Sequence, residues 1–199
     1  PSLLLVFESD FIYHDFIKTL SSHRLLNRYF QQHPPLIFSH TEIKQAGDIF
    51  PVEFNQILET ATVHYGDNPE KFLSVENTNL RLQVESNLRR NALLLREEFL
   101  LKKSDPRTLL LDSVSQFILS IKYLLQLKNI DTTEMDSRDI IVGLSELMDI
   151  DVSVFFNLLR HMESPRDIKK TRPSEWRQFF FDYLEQLTLI IAEADQLDV

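Results

Sequence analysis

Apolar residues recur at helical spacing through most of the chain beyond about residue 74. A repeat of three to four residues predicts amphipathic helices that bury one face each. Long helices joined by short connections favour an antiparallel bundle. We therefore predict a C-terminal helical bundle domain at 73–199, with helices over 76–102, from the Asp105-Pro106 cap to about 128, over 137–148, from an Asp151 cap to before Pro165, and over 174–196.

The N-terminal part, 1–72, has a different pattern of short apolar runs around one helical segment. Leu3 to Phe7 is a continuous apolar run typical of a strand that is buried on both faces. A helix is predicted over 11–32, followed by a strand from Leu36 to Phe38. A Gly47-Asp48 turn then leads to 49–57, which we predict to be an antiparallel partner strand. The predicted fold class is α+β, predominantly α.

Composition excludes several kinds of site. The 199 residues include no Cys, which rules out disulfides and thiolate metal sites. The formal net charge of -9 disfavours nucleic-acid binding through a broad basic surface. No apolar run approaches the roughly 20 residues of a membrane span. We expect a cytoplasmic protein that does not insert into a membrane.

Glu53 is the residue that most suggests a functional site. It lies in Ile49 to Ile57, between strand-favouring Val52 and Phe54. A carboxylate in a buried strand is costly unless its face opens onto a cleft or a partner. The alternation also permits an edge-strand carboxylate that faces solvent. Residues alone leave both interpretations open.

Four segments of the chain resemble, in order and spacing, a family of bacterial proteins with a polymerase-beta-type nucleotidyltransferase domain. In that family a helical domain follows, similar to the C-terminal half of the aminoglycoside nucleotidyltransferases. The resemblance extends from about 35 to 128. The segments are Pro35-Leu36-Ile37-Phe38 with Thr41-Glu42-Ile43, Asp48-Ile49-Phe50-Pro51-Val52-Glu53-Phe54, His64-Tyr65-Gly66-Asp67-Asn68-Pro69 and Leu80-Arg81-Leu82-Gln83-Val84-Glu85-Ser86-Asn87-Leu88-Arg89.

The resemblance implies transfer of a nucleotide from a nucleoside triphosphate to a small-molecule or protein acceptor. In the family, a Gly-Ser turn holds the phosphates and an Asp-x-Asp pair holds magnesium. A third carboxylate is a further metal ligand or the general base, and Glu53 matches it by position. The resemblance also implies that 1–72 is a partial, truncated α/β nucleotidyltransferase-like region.

The first two acids of that site have no counterpart here. The matching place holds Pro1, Ser2 and Leu3, and no Gly-Ser turn precedes them. We expect either that upstream residues complete the site or that this is a shortened, silent relative. Magnesium is expected as a cofactor only in the first case, and the chain as given is expected to be inactive.

Arg81, Glu85 and Arg89 are the candidate nucleotide- or substrate-binding residues. They are spaced by four, which predicts one stripe on a helix. The stripe is either a surface ladder of ion pairs or a row of arginines that meets phosphates in a cleft. The basic segment 166–172 is predicted to be a loop. The six histidines show no zinc-ligand spacing.

Three classes of function remain open at this stage. The first is a nucleotidyltransferase-type protein with Glu53 as base. The second is a non-catalytic binding or regulatory module that kept the helical scaffold. The third is an oligomeric helical partner of the toxin–antitoxin type, although the Rx4-6H motif of helical ribonuclease toxins is missing, which argues against a toxin role. The dense aromatics of the final helix cannot all face one side, so they leave surface to bury against another element or another subunit. A homo-oligomer is compatible with each.

Overall fold

The computed structural model describes residues 3–23, 28, 30, 34–101, 105–148, 150–164 and 171–196. The chain divides into two compact units, Pro1–Glu76 and Asn77–Val199, whereas the sequence patterns had suggested a boundary between 72 and 73. The predicted fold class, α+β and predominantly α, is confirmed. In chain order the elements are β1 (Leu4–Phe7), α1 (Asp10–Ser22), β2 (Leu36–Ser39), α2 (His40–Gln45), α3 (Pro51–Thr60), a 3-10 turn (Pro69–Lys71), α4 (Asn77–Leu100), α5 (Pro106–Leu127), α6 (Ser137–Leu147), α7 (Ser153–Glu163) and α8 (Pro173–Asp195).

The two strands form a parallel pair, with Leu4 opposite Leu36 and Phe7 opposite Ser39. Both strands were predicted, but the predicted antiparallel pairing of 36–38 with 49–57 is wrong. A helix between two strands permits the crossover that parallel pairing requires, and α1 lies between β1 and β2. The side chains of β1 are half-buried rather than buried.

Helix α1 is shorter than predicted. It ends at Ser22, and His23 has extended backbone angles (φ -93°, ψ 99°). The hydroxyls of Ser21 and Ser22 donate to the carbonyls of Lys18 and Thr19. Hydroxyls near a helix end offer the backbone such alternative bonds, which favours termination there. Most of the predicted continuation to 32 lies outside the described residues.

The predicted strand over 49–57 is wrong, because Pro51–Thr60 is helix α3. Pro51 stands at the first helical position, where its missing N–H costs nothing. Pro51, Val52 and Phe54 are buried, and Ile57 and Leu58 pack against the same core. This spacing is helical, and the apparent alternation around Glu53 covered only three residues.

The core of the N-terminal unit lies between α2, α3 and the stretch that follows the 3-10 turn. Ile43, Ala46, Phe54 and Leu73 are its buried residues. Half-buried residues of both strands pack against it, with Leu4, Val6 and Phe38 among them. The sheet therefore adds to this core from one side rather than forming its centre.

Helix boundaries in the C-terminal unit follow their caps. The Asp105 carboxylate accepts a hydrogen bond from the N–H of Thr108, as the predicted cap of α5 requires. Asp136 accepts from the N–H groups of Asp139 and Arg138, and these bonds lower the pKa of Asp136. The predicted Asp151 cap of α7 is displaced: Val152 is the cap residue, although Asp151 accepts from the N–H of Ser153.

The core of the C-terminal unit contains a cluster of three aromatic rings from α5, α7 and α8. Phe117 and Phe155 stack with centroids 4.5 Å apart, and the Tyr183 ring meets both edge-on. All three side chains are fully buried, and burial raises the pKa of Tyr183. This cluster ties three helices together.

Helices α4 and α8 run in opposite directions. Arg81 near the start of α4 lies 3.5 Å from the carbonyl oxygen of Ala194 near the end of α8. At the other end, Phe99 stacks on Phe180 with centroids 4.4 Å apart. Because α4 also packs against α5, these two helices together determine which face of α4 remains outside.

Helix α5 is the one described helix long and apolar enough to cross a membrane by length and composition. Half of its most apolar window is buried within the protein. It also packs against α4, α6, α7 and α8. A helix at the centre of a bundle can be as apolar as a membrane span. The position of α5 in the core therefore explains its apolar composition. Of the predicted basic loop 166–172, residues 166–170 lie outside the described residues.

Candidate functional site

Glu53 lies on the exposed side of α3, in its first turn. A carboxylate there is stabilised by the partial positive charge of the helix N-terminus, which needs no cleft or metal. The reason for which Glu53 was singled out, a carboxylate within a buried strand, is therefore removed. Among the described residues, no three His, Asp or Glu side chains lie close enough together to hold a metal ion. A role for Glu53 as base or magnesium ligand stays a prediction.

Arg81, Glu85 and Arg89 are brought together on α4, as their spacing predicts. The Glu85 carboxylate accepts from Arg81 Nη1 at 3.2 Å and from Arg89 Nε at 2.6 Å. The side chains of Arg81 and Glu85 are only 19% and 15% exposed. Glu85 thus bridges two arginines in a partly desolvated place, where ion pairs are stronger than on an open surface.

A fourth member of this ladder comes from α8. Arg89 Nη2 lies 3.3 Å from Asp195 Oδ1. The hydrogen bond to Glu85, with help from Asp195, raises the pKa of Arg89 above its ordinary value. Asp195 was missed because no spacing along the sequence connects it with α4. The ladder links α4 to α8 and gives both arginines carboxylate partners.

The outward face of α4 carries an open groove of about 400 Å³, lined by Leu82, Glu85, Ser86, Arg89, Arg90 and Leu93. Two of its apolar walls are exposed, Leu82 by 49% and Leu93 by 63%. Leu100, on the same helix, is 77% exposed. Positions 82, 93 and 100 are separated by about three and two turns, so they form one row, which we call the leucine stripe.

His161 was one of the histidines considered for metal binding, and it is buried at 1% exposure. Its Nδ1 lies 2.6 Å from the carbonyl oxygen of Asn157, and its Nε2 lies 2.8 Å from Thr171 Oγ1. A carbonyl only accepts, so Nδ1 carries the proton and donates. The Trp176 ring packs edge-on at 4.8 Å. Both nitrogens are engaged, and His161 connects α7 to the start of α8.

The structure therefore offers two overlapping features of α4: the ladder Arg81–Glu85–Arg89–Asp195, and the groove with its leucine stripe, which Glu85 and Arg89 of the ladder also line. The groove was missed by sequence reasoning, although a signal existed in the i, i+4, i+7 and i+11 spacing of Leu82, Ser86, Arg89 and Leu93. No family model, curated protein or solved structure matches the chain in the three comparisons made.

Proposed function

We propose that this chain is a non-catalytic helical binding module that engages a protein partner through the outward face of α4. The observation that carries the proposal is the combination of the ion-pair ladder with an open groove that exposes two leucines and that Glu85 and Arg89 also line. The groove lies on a helix of the C-terminal unit, so it stands on a rigid element. Exposed leucines that line a groove are the kind of surface that protein partners cover.

The ladder supports this proposal over nucleotide binding at α4. A triphosphate that used Arg81 or Arg89 would have to compete with Glu85, which lies within hydrogen-bond distance of both. It would also approach a carboxylate that is only 15% exposed. Like charges in a partly desolvated place repel strongly, which opposes phosphate at this position.

Nucleotidyl transfer, the activity that the family resemblance implies, stays a prediction. In that prediction Glu53 is the general base, and the reaction requires magnesium and a nucleoside triphosphate. The two functions differ in what the chain must bind, so nucleotide binding separates them directly.

Titration calorimetry with magnesium and ATP is the test. We expect no saturable heat from the wild-type chain, and the same result from Arg89→Ala. Saturable binding that Arg89→Ala weakens about tenfold or more would overturn the proposal, since one charge-assisted contact contributes roughly that much. Arg138→Ala is the matched control, because Arg138 is also half-exposed and paired with a carboxylate, that of Glu163 at 2.6 Å.

A transfer assay gives a second criterion. Nucleotide transfer from a labelled nucleoside triphosphate that Glu53→Gln abolishes, with the far-UV spectrum unchanged, would refute the non-catalytic proposal. It would instead support the general-base role of Glu53.

A further inference from the structure

We propose that the loop from 61 to 68 is a cleavage site for an endoprotease of chymotrypsin-like specificity, which cuts the bond between Tyr65 and Gly66. The loop joins α3 to the 3-10 turn within the N-terminal unit. The site is independent of the α4 groove, and it adds a covalent modification to the proposed binding role. Side-chain exposure, backbone hydrogen bonding and the core residues on either side of the loop all support it.

The side chains of the loop face solvent. Every residue from 61 to 68 is exposed, and Tyr65 at 99% is the most exposed of the large apolar and aromatic side chains that the structure describes. Tyr123 and Tyr183, the other tyrosines with described side chains, are fully buried. The hydrophobic S1 pocket of a chymotrypsin-like protease binds an aromatic side chain of this kind. Tyr65 therefore offers such a protease its specificity residue without any rearrangement.

The backbone of the loop is also accessible. Helix α3 ends with a hydrogen bond from the N–H of Ala61 to the carbonyl of Ile57 at 2.9 Å, and the next backbone bond along the chain joins Lys71 to Asn68 at 3.0 Å. Within the described ranges, no backbone hydrogen bond involves an N–H or carbonyl of 62–67. A cleft that binds an extended peptide uses these groups, so the loop can enter it without the loss of secondary structure. Exposed loop tips are the usual places where folded chains are nicked.

Exposure of an aromatic side chain does not by itself select Tyr65. Phe181 is 47% exposed, but it lies inside α8, where each backbone N–H is bonded to the carbonyl four residues earlier. A cut after Phe181 would first require α8 to unwind. By contrast, Gly66 has nothing within 4 Å of its Cβ position, so both sides of the Tyr65–Gly66 bond are open.

The reaction is the hydrolysis of one peptide bond. A serine hydroxyl of the protease adds to the carbonyl carbon of Tyr65, the bond to the Gly66 nitrogen breaks, and Gly66 leaves as an amine that takes up the proton of the serine. Water then releases the acyl group from the protease. Tyr65 gains a carboxylate, Gly66 gains an α-amino group, and water is the co-reactant.

A cut at this bond divides the core of the N-terminal unit between two chains. Ile43, Ala46 and Phe54 lie before the bond and Leu73 lies after it, and all four are buried residues of that core. In the intact chain the loop keeps these two parts at a high effective concentration, and the cut removes that tether. The folded N-terminal unit then depends on the association of fragments 1–65 and 66–199. Cleavage therefore acts as a switch that makes the stability of this unit fall on dilution.

Limited digestion of the folded full chain with chymotrypsin tests the site. Mass spectrometry is expected to identify fragments 1–65 and 66–199 as the first products. Tyr65→Ser removes the ring that the S1 pocket binds and is expected to slow the cut about tenfold or more. Tyr65→Phe is the matched control, because it keeps the ring and is expected to be cut at the wild-type rate.

Elastase separates the accessibility of the loop from the identity of residue 65. Its smaller S1 pocket suits Ala61 and Val63, so the wild type and Tyr65→Ser are expected to be cut within the loop at equal rates. A first chymotryptic cut outside 61–68, equal chymotryptic rates for the wild type and Tyr65→Ser, or resistance of the loop to both proteases would each overturn the site.

Dilution tests the consequence of the cut. The cut protein is expected to unfold at a lower urea concentration than the intact chain. A tenfold dilution is expected to lower its free energy of unfolding further, by about 1.4 kcal/mol, because two fragments must associate. The intact chain at the same concentrations is the control. A cut protein that unfolds like the intact chain at every concentration would overturn the role of the loop as a switch.

Discussion

Gly47 stands where no side chain fits, and its replacement tests the packing of the N-terminal unit. It lies in the turn between α2 and α3, in which the N–H groups of Ile49 and Phe50 both donate to the Ala46 carbonyl. A Cβ atom built on Gly47 would lie 2.7 Å from the carbonyl oxygen of Ser74. That approach allows the chain after the 3-10 turn to cross the α2–α3 turn, so that Leu73 reaches the core.

The cost of Gly47→Ala is the difference between two effects. The contacted oxygen belongs to the backbone of Ser74, so the clash can be relieved only by a shift of the chain and not by a rotamer change. Such a shift costs about 1–3 kcal/mol. Alanine restricts the unfolded chain more than glycine does, which stabilises the folded state by about 0.4–1 kcal/mol. We therefore expect Gly47→Ala to lower the free energy of unfolding by about 1.3 kcal/mol, the difference between the midpoints of these two ranges.

Urea unfolding followed by far-UV circular dichroism measures this change. Hydrogen exchange of peptides from 36–60 and 72–76 locates it, and faster exchange is expected there. Gly66→Asn is the control, because Gly66 has a φ of +84° with nothing within 4 Å of its Cβ position. Asparagine tolerates that conformation, so little change is expected. An unchanged or increased unfolding free energy in Gly47→Ala would refute the close approach.

Two further predictions concern the C-terminal unit. Phe155→Ala removes one ring of the buried cluster with Phe117 and Tyr183, and should lower the free energy of unfolding by about 3–5 kcal/mol; an unchanged urea midpoint, followed by the fluorescence of the single tryptophan, would contradict it. Asp136→Ala should lower the melting temperature at pH 7. The depressed pKa of Asp136 means that its stabilisation is present above the ordinary value of 3.8 and is lost as pH falls through the folded pKa. The two melting curves should therefore converge in acid, and a difference independent of pH would count against the cap.

Helices of the C-terminal unit could be predicted because their signals are local. Four members of the predicted stripe of α4 are buried as its spacing indicates, Leu80, Val84, Leu88 and Leu95, and its fifth member, Phe99, is half-buried. Asp105 and Pro106 start α5 with a side-chain cap and a pre-set φ, both decided by residues next to each other. A period of 3.6 sustained over several turns leaves no competing pattern.

The N-terminal unit was harder because its elements are short. The sequence from Pro51 to Phe54 is compatible both with a strand and with the first turn of a helix. The β-branched Val52 favours the strand. Only Ile57 and Leu58, one turn later, separate the two periods. The parallel pairing joins β1 to β2, which α1 separates along the chain. Short-range sequence patterns do not encode hydrogen bonds between such distant residues.

The interpretation of the candidate site also depends on contacts between residues that are distant in the sequence. Arg81, Glu85 and Arg89 could be placed on one stripe, but their spacing is equally that of a surface ladder and of a phosphate site. The observations that favour the ladder are non-local: Asp195 from α8 extends it, and burial leaves the Glu85 side chain 15% exposed.

Helix α4 carries charged residues in two different settings. Near α8, Glu85 and Asp195 neutralise Arg81 and Arg89 within the chain, and these ion pairs hold α4 against α8. Arg90 and Glu97 lie seven residues apart, too far for a pair within one helix, where partners stand three or four residues apart. The sequence shows all of these charges on one helix, and only the position of Asp195 on α8 distinguishes the first setting from the second.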